Sequence, residues 1–278
     1  MSPAMDRLPE TLGDGEAYYQ LLGREGNIAT FRSTIHAQGT WNPGEQHMGP
    51  ATGVLVHELA RLERPGTRLV RIGLDILGLI PAGEFTVTTR MVRPGRTIEL
   101  LEAALEAHGR TAIVARAWRL ATGDSVEVET AQTRRMPGDE HFVEWDVAGT
   151  WPGGYIRSLR GWHDPRCEPG HGRVWLSNPH PMVEGEETPA LVKLMGMVDT
   201  ANGVASLLDP QRWVFPNVDL QIHLFRSPRG ERLGLETRQS VGPDGVGLTS
   251  STLHDAAGPF GTAEQILTVR PRPRPESS

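Results

Sequence analysis

The chain has one cysteine, Cys167, in 278 residues. An intramolecular disulfide framework is therefore excluded, and a reducing, cytoplasmic setting is expected. Lysine is as scarce: Lys193 is the one lysine among 28 basic residues. Schiff-base chemistry would rest on that residue, inside an apolar helix-like run, so lysine catalysis is discounted. No apolar run approaches the roughly 18 residues of a membrane-crossing helix, and no membrane span is expected. The opening Met-Ser-Pro-Ala-Met-Asp has no basic stretch leading into an apolar one, so no signal peptide is expected. A formal charge of −6 offers no basic face for nucleic acid. Also absent are a Gly-x-Ser-x-Gly nucleophile elbow, a dinucleotide-binding glycine fingerprint and a phosphate loop.

What is present is an ordinary globular composition, 38% hydrophobic and 22% charged, which supports a sizeable core. Two stretches read alike. In the first, a helical pattern from Gly49 to Leu62 is stopped by Arg64-Pro65-Gly66. Four strand-like runs follow: Leu69 to Leu79, Glu84 to Val92, Thr97 to Ala107 and Thr111 to Thr122. In the second, a helical pattern from Pro189 to Leu208 precedes an alternating strand, Asn217 to Leu224, and further strands ending in Ala263-Glu264-Gln265. Each copy holds a Pro-x-Gly-Glu turn, at Pro81 and at Pro228, and that offset sets Gln265 opposite Trp118. Aligning Pro50 with Pro189 sets Asp199 opposite Ala60. One helix followed by an antiparallel meander, twice over, is an α+β pattern. The N-terminal lead-in carries a short helical pattern near Tyr18 to Leu22, and Ala29 to Gln38 reads as a strand. Residues 136–172 hold Trp145, Trp151 and Trp162 and read as a packed crossover. The Arg-Pro tail reads as extended and mobile.

His47-Met48-Gly49-Pro50-Ala51 opens the first helix, and Arg93-Pro94-Gly95-Arg96-Thr97 separates two strands. Met197-Val198-Asp199-Thr200-Ala201-Asn202-Gly203 lies on the second helix, and Phe215-Pro216-Asn217-Val218-Asp219-Leu220 opens a strand. In this order and spacing the motifs resemble the acyl-CoA thioesterase II (TesB-like) family, in its actinobacterial thioesterase-like branch. The resemblance spans roughly residues 27–270. It implies a double hotdog, in which two antiparallel sheets each wrap a long helix. The implied boundaries are 1–135 for the first unit, 136–172 for the crossover, 173–270 for the second unit and 271–278 for the tail. It also implies hydrolysis of a fatty acyl-CoA by an activated water, without a cofactor. The strand arrangement leaves outer sheet faces and edges of a kind that often associate, so a homo-oligomer is expected. In the family an Asp, a Thr or Ser, and a Gln hold that water. Asp199 and Gln265 match, whereas the hydroxyl position falls on Asn217, whose amide can hydrogen-bond a water but cannot relay a proton as a hydroxyl can.

Thioester hydrolysis needs a positioned water, a base and donors for the developing oxyanion. Asp199 is the candidate base, because a lone carboxylate in an apolar run is costly without a role or partner. Gln265 would orient the water, and backbone N–H groups at a helix start near Gly49 would hold the oxyanion. His47, Gly49, Asp219 and His223 are candidate substrate contacts. Asp219 and His223 share a polar strand face that a solvated or interface role explains as well. Alternation also turns Asn217 away from Asp199, unless Pro216 twists the start of the strand. His163, Cys167 and His171 invite a metal reading, but two prolines among them and the lack of further cysteines speak against it. Two rival functions remain: a non-catalytic acyl-CoA-binding protein, and a hotdog acyl-CoA hydro-lyase. The latter is disfavoured because no Asp is followed by His five residues on. The asymmetry of the copies predicts one functional site per chain.

Overall fold

The computed structural model describes residues 12–62 and 64–272. The first half contains β1 (Tyr19–Glu25), β2 (Ile28–Ser33), α1 (Met48–Arg61), β3 (Thr67–Ile76), β4 (Glu84–Arg93), β5 (Ile98–Ala107) and β6 (Arg110–Ala121). A crossover follows with β7 (Val143–Trp145), two short helices α2 (Val147–Thr150) and α3 (Gly154–Ser158), and β8 (Arg160–His163). The second half contains β9 (His171–Ser177), α4 (Ala190–Val198), α5 (Ala201–Val204), β10 (Trp213–Val214), β11 (Asp219–Leu224), β12 (Arg232–Val241), β13 (Val246–Asp255), β14 (Gly258–Thr268) and β15 (Arg270–Pro271).

Thirteen of these strands form one sheet, in the order β1-β2-β4-β5-β6-β3-β11-β14-β13-β12-β9-β8-β7. The halves meet at the antiparallel pair β3–β11, where Leu74 faces Leu220 and Ile72 faces Ile222. Strand alternation decides which side chains look inward. On β11, Leu220, Ile222 and Leu224 are buried and His223 is exposed. The sheet wraps α1 and α4, which pack on each other. Helix α1 is buried from Met48 to Leu59 because it has sheet on one side and α4 on the other. Its approach to α4 is close: a Cβ at Gly49 would stand 2.8 Å from Gly196 O and 2.8 Å from the Tyr155 hydroxyl. This is the α+β double hotdog that the motifs imply.

Four local expectations change. Tyr18 to Leu22, read as helical, lies at the start of edge strand β1; a short apolar pattern fits either form, and pairing with β2 decides it. The strand expected to run to Gln38 stops at Ser33, where the Thr34 hydroxyl caps a 3-10 turn at Ile35–Ala37. The helix expected from Pro189 to Leu208 ends at Val198. Thereafter the N–H groups of Thr200, Asn202 and Gly203 bond three residues back, to Met197, Asp199 and Thr200, so the coil tightens. The crossover does more than connect, adding β7 and β8 to the sheet edge. Most of the Arg-Pro tail, 273–278, and the first part of the lead-in, 1–11, lie outside the described residues.

Candidate active site

Asp199 caps the C-terminus of α4 and is 6% exposed. Its Oδ1 accepts two amide hydrogen bonds, from Asn217 Nδ2 at 2.9 Å and from Gln265 Nε2 at 2.9 Å. Gln265 reaches it because β14 alternates Ala263, Gln265 and Leu267 onto the buried face beneath the helices. Asn217 reaches it because regular pairing of β11 begins only at Asp219. Pro216 and Asn217 lie ahead of the strand, with Asn217 in a single bridge to Leu267, so strict alternation does not apply to them. The Asn217 amide also donates to the Asp219 carbonyl at 3.0 Å, which fixes its orientation.

The other oxygen, Oδ2, lies 3.5 Å from His47 Nδ1. This is not an ion pair. His47 caps α1, and its Nδ1 accepts the Gly49 N–H at 2.9 Å, so that nitrogen carries no proton to donate. Burial pushes the His47 imidazole down to about 3, which keeps it neutral. Burial likewise raises the Asp199 carboxyl to about 6, against the lowering effect of the two amide donors. A carboxylate held by neutral donors, with no cation beside it, retains proton affinity near neutrality.

A cleft of about 490 Å³ opens at Asp199, and Thr40, His47, Thr200, Asn202 and Asn217 add polar side chains to its lining. Its apolar walls are Trp41, Trp145, Trp151, Ile156 and Phe215. Trp41, Trp151 and Phe215 meet edge to face with centroids 5.8–6.0 Å apart, an arrangement that fixes all three rings. Tyr155 lies against the His47 ring at 4.2 Å and donates its hydroxyl proton to Gly196 O at 3.0 Å. The same hydroxyl is 3.0 Å from Thr200 Oγ1. Three crossover residues thus wall the cleft, and a fourth braces the turn that carries Asp199.

Of the residues expected from sequence, Asp199, Asn217, Gln265 and His47 come together. Gln265 sits behind the carboxylate and off the cleft wall, so in this arrangement it holds Asp199. Gly49 does not present an N–H to the cleft: that group is taken by His47, and the residue is packed under Tyr155 and Gly196. Asp219 and His223 lie on the outer sheet face. Asp219 Oδ1 accepts the Ile266 N–H at 2.8 Å, and His223 is exposed between Arg71 and Thr262. Sequence reasoning missed the aromatic walls and Tyr155. The clustered tryptophans of 136–172 were the available signal, read there as packing. Among the described residues no group of three or more His, Cys, Asp or Glu is arranged to hold a metal ion.

The sequence matches the acyl-CoA thioesterase N-terminal domain over residues 37–120 and the acyl-CoA thioesterase C-terminal domain over 127–269. Among curated proteins none matches. Solved structures of similar shape include a conserved protein of unknown function with a hot dog fold from Alicyclobacillus acidocaldarius. It is 13% identical with a TM-score of 0.73, over 91% of this chain and 96% of that one. The acyl-CoA thioesterase II TesB2 of Mycobacterium marinum is 15% identical with a TM-score of 0.69, over 93% and 96%. The dehydratase domain of a curacin polyketide synthase module also shares the shape, at 13% identity and a TM-score of 0.53, over 89% and 93%. At such identities the likeness concerns the fold alone, and the fold serves more than one chemistry. The two domain matches cover most of the sequence, and by them the chain belongs to the acyl-CoA thioesterase family.

Proposed function

We propose that the chain hydrolyses acyl-CoA to free acid and CoA, with Asp199 as the general base toward water. The observation that carries this reading is the division of labour within one buried carboxylate. Oδ1 is held by the Asn217 and Gln265 amides, while Oδ2 faces a neutral imidazole and lacks a cation. A water at Oδ2 gives up a proton as its oxygen attacks the thioester carbonyl. The tetrahedral species collapses, the C–S bond breaks, and the departing thiolate takes the proton back from Asp199. Asn217, at the position of the family's hydroxyl, donates here to the carboxylate, a task that needs no proton relay, so this departure is compatible with turnover.

The cleft also bears on the acyl group. The sequence resemblance implies a fatty acyl chain, but the apolar walls here are four aromatic rings and one isoleucine. Rings locked edge to face favour a compact or flat acyl group over a long flexible one. The test is thiol release from acetyl-, butyryl-, benzoyl- and palmitoyl-CoA by the wild type and by Asp199→Asn. The reading expects turnover of the compact thioesters and its loss in the variant. Binding without turnover of every thioester would instead make this an acyl-CoA-binding protein.

A further inference from the structure

The two-stranded ribbon β10–β15 stands apart from the large sheet and carries a cluster of positive charge. It pairs Trp213 with Pro271 and Val214 with Arg270. The Arg272 N–H continues the ladder by bonding Arg212 O at 2.8 Å, which sets Arg212 opposite Arg272. Side chains directly opposite on an antiparallel pair share a face, as do those two apart on one strand. Arg212, Arg270 and Arg272 therefore lie on one face of the ribbon, and all three are exposed. The ribbon is joined to the Asp199 cleft by both strands. β10 runs straight into Phe215, a cleft wall, and Thr268, two residues before β15, donates its N–H to Pro216 O at 3.0 Å. The Arg272 guanidinium lies over the Trp41 ring at 5.7 Å, and Trp41 is the most exposed of the aromatic walls. The ridge of arginines thus stands at the cleft mouth.

The contacts these side chains make are with neutral groups. Arg272 donates Nε to Pro210 O at 3.1 Å and rests on Trp41, and Arg270 donates from Nη1 to Thr268 Oγ1 at 3.3 Å. Each hydrogen bond uses one N–H of a guanidinium that has five. None of the three is in an ion pair among the described residues. Asp209, the carboxylate of the turn leading into β10, instead accepts the Gln211 N–H at 2.8 Å. Like charges set directly opposite across a ladder destabilise it, and a phosphate bridging two guanidiniums turns that repulsion into charge-assisted hydrogen bonding. The whole chain carries a formal −6, so a polyanionic ligand gains most from a local cluster of this kind beside its site.

We propose that Arg212, Arg270 and Arg272 bind a phosphate of the coenzyme A portion of the substrate while its acyl end occupies the Asp199 cleft. This rests on the acyl-CoA reading above, and the test separates the two. The S-benzyl thioethers of coenzyme A and of pantetheine, which lacks every phosphate, are titrated calorimetrically into the full chain at constant low ionic strength. Inorganic phosphate is titrated alone in a third series. The expected result is tighter binding of the coenzyme A compound by about tenfold or more. Replacing Arg212→Gln and Arg270→Gln together removes most of that advantage, and the loss is confined to the coenzyme A compound, as loss of charge-assisted hydrogen bonds implies. Added salt gives the same answer without a variant: it weakens the coenzyme A compound and not the pantetheine one. Equal affinity for the two thioethers, an advantage that the double variant keeps, or inorganic phosphate binding as tightly as the coenzyme A compound overturns the proposal. A wild type that shows the advantage but hydrolyses no thioester keeps the ridge and loses only the hydrolysis.

Discussion

Asp199 and His47 are both held in the form opposite to the one that water favours near pH 5, and the consequences for stability and activity can be signed. The Asp199 carboxyl titrates at about 6 in the fold, against 3.8 when exposed. The folded state thus holds that proton more tightly. Relative stability from this group is present below pH 3.8 and is lost as pH rises through about 6. His47 runs the other way: its imidazole lies at about 3 against 6.5, so its contribution is present above pH 6.5 and lost as pH falls toward 3. Between these limits the folded pair carries one proton on the carboxyl and the unfolded pair carries one on the imidazole, so the two slopes oppose. Asp199→Asn removes only the first. We expect it to raise stability at pH 7.5 by up to ~3 kcal/mol, the worth of about two pKa units, with the gain gone below pH 4. Urea titrations at the two pH values measure this. In the same variant kcat should fall about 100-fold or more, the usual share of a general base. Wild-type kcat should decline about tenfold per pH unit below pH 6, as the base takes up one proton. Asn217→Ala removes a donor to the carboxylate, so its acidic limb should move to higher pH. Asn217→Thr, whose hydroxyl can still donate, should move it back. A limb that stays fixed in both variants would detach Asn217 from the carboxylate.

The helices show where close approach matters and where sequence patterns run out. The apolar repeat of Val54, Leu55 and Leu59 and the stop at Arg-Pro-Gly placed α1 well, because local sequence and burial agree there. The second helix was read too long. Its apolar pattern continues to Leu208, but Thr200 is engaged by Tyr155, Asn202 donates to Phe215 O, and Asp199 is drawn to two amides. These are long-range partners that no local pattern encodes. The orientation of Asn217 stayed open for a related reason: strict alternation turned it from Asp199 and a twist at Pro216 allowed the opposite, and the strand boundary at Asp219 that decides between them depends on pairing with β3 and β14. Gly49 was read as an oxyanion donor when its part is steric. Gly49→Ala would press a methyl group against a backbone carbonyl and a buried phenol, neither able to yield. We expect a loss of about 1–3 kcal/mol in stability, the usual cost of overpacking. A fall in kcat should accompany it, because the capped His47 and the braced Asp199 turn share that contact. An urea midpoint equal to wild type would show that the approach of α1 to α4 is looser than described.

At the scale of the whole molecule the duplication is legible in sequence, and the structure explains what became of the counterpart site. Ala60, opposite Asp199 in the alignment, lines a hollow with Arg24, His57, Arg61 and Glu186. There the carboxylate is paired with cations: Arg24 bonds Glu186 at 2.6 Å and Glu58 at 2.7 Å, and His57 Nε2 is 2.7 Å from Glu186. Burial would raise the Glu186 carboxyl, but the Arg24 and His57 bonds hold it below the usual carboxylate range. Such a group is a poor proton acceptor, the reverse of Asp199. The second half keeps a buried carboxylate held by neutral donors, and the first half has an ion network tying β1 to α1 and to the segment before α4. Two results should follow. A non-hydrolysable thioether analogue of a compact acyl-CoA should bind at one equivalent per chain by calorimetric titration, and Asp199 should be at that site, so that a bulky Asp199→Leu abolishes the binding. Glu186→Gln should lower the urea midpoint, by about 1–3 kcal/mol for a partly buried charge network left uncompensated. Its kcat per folded chain should not change, because the residue touches neither the cleft nor its braces. Two equivalents bound, or a loss of kcat in Glu186→Gln without loss of fold, would give the first half a part in catalysis that its chemistry does not support.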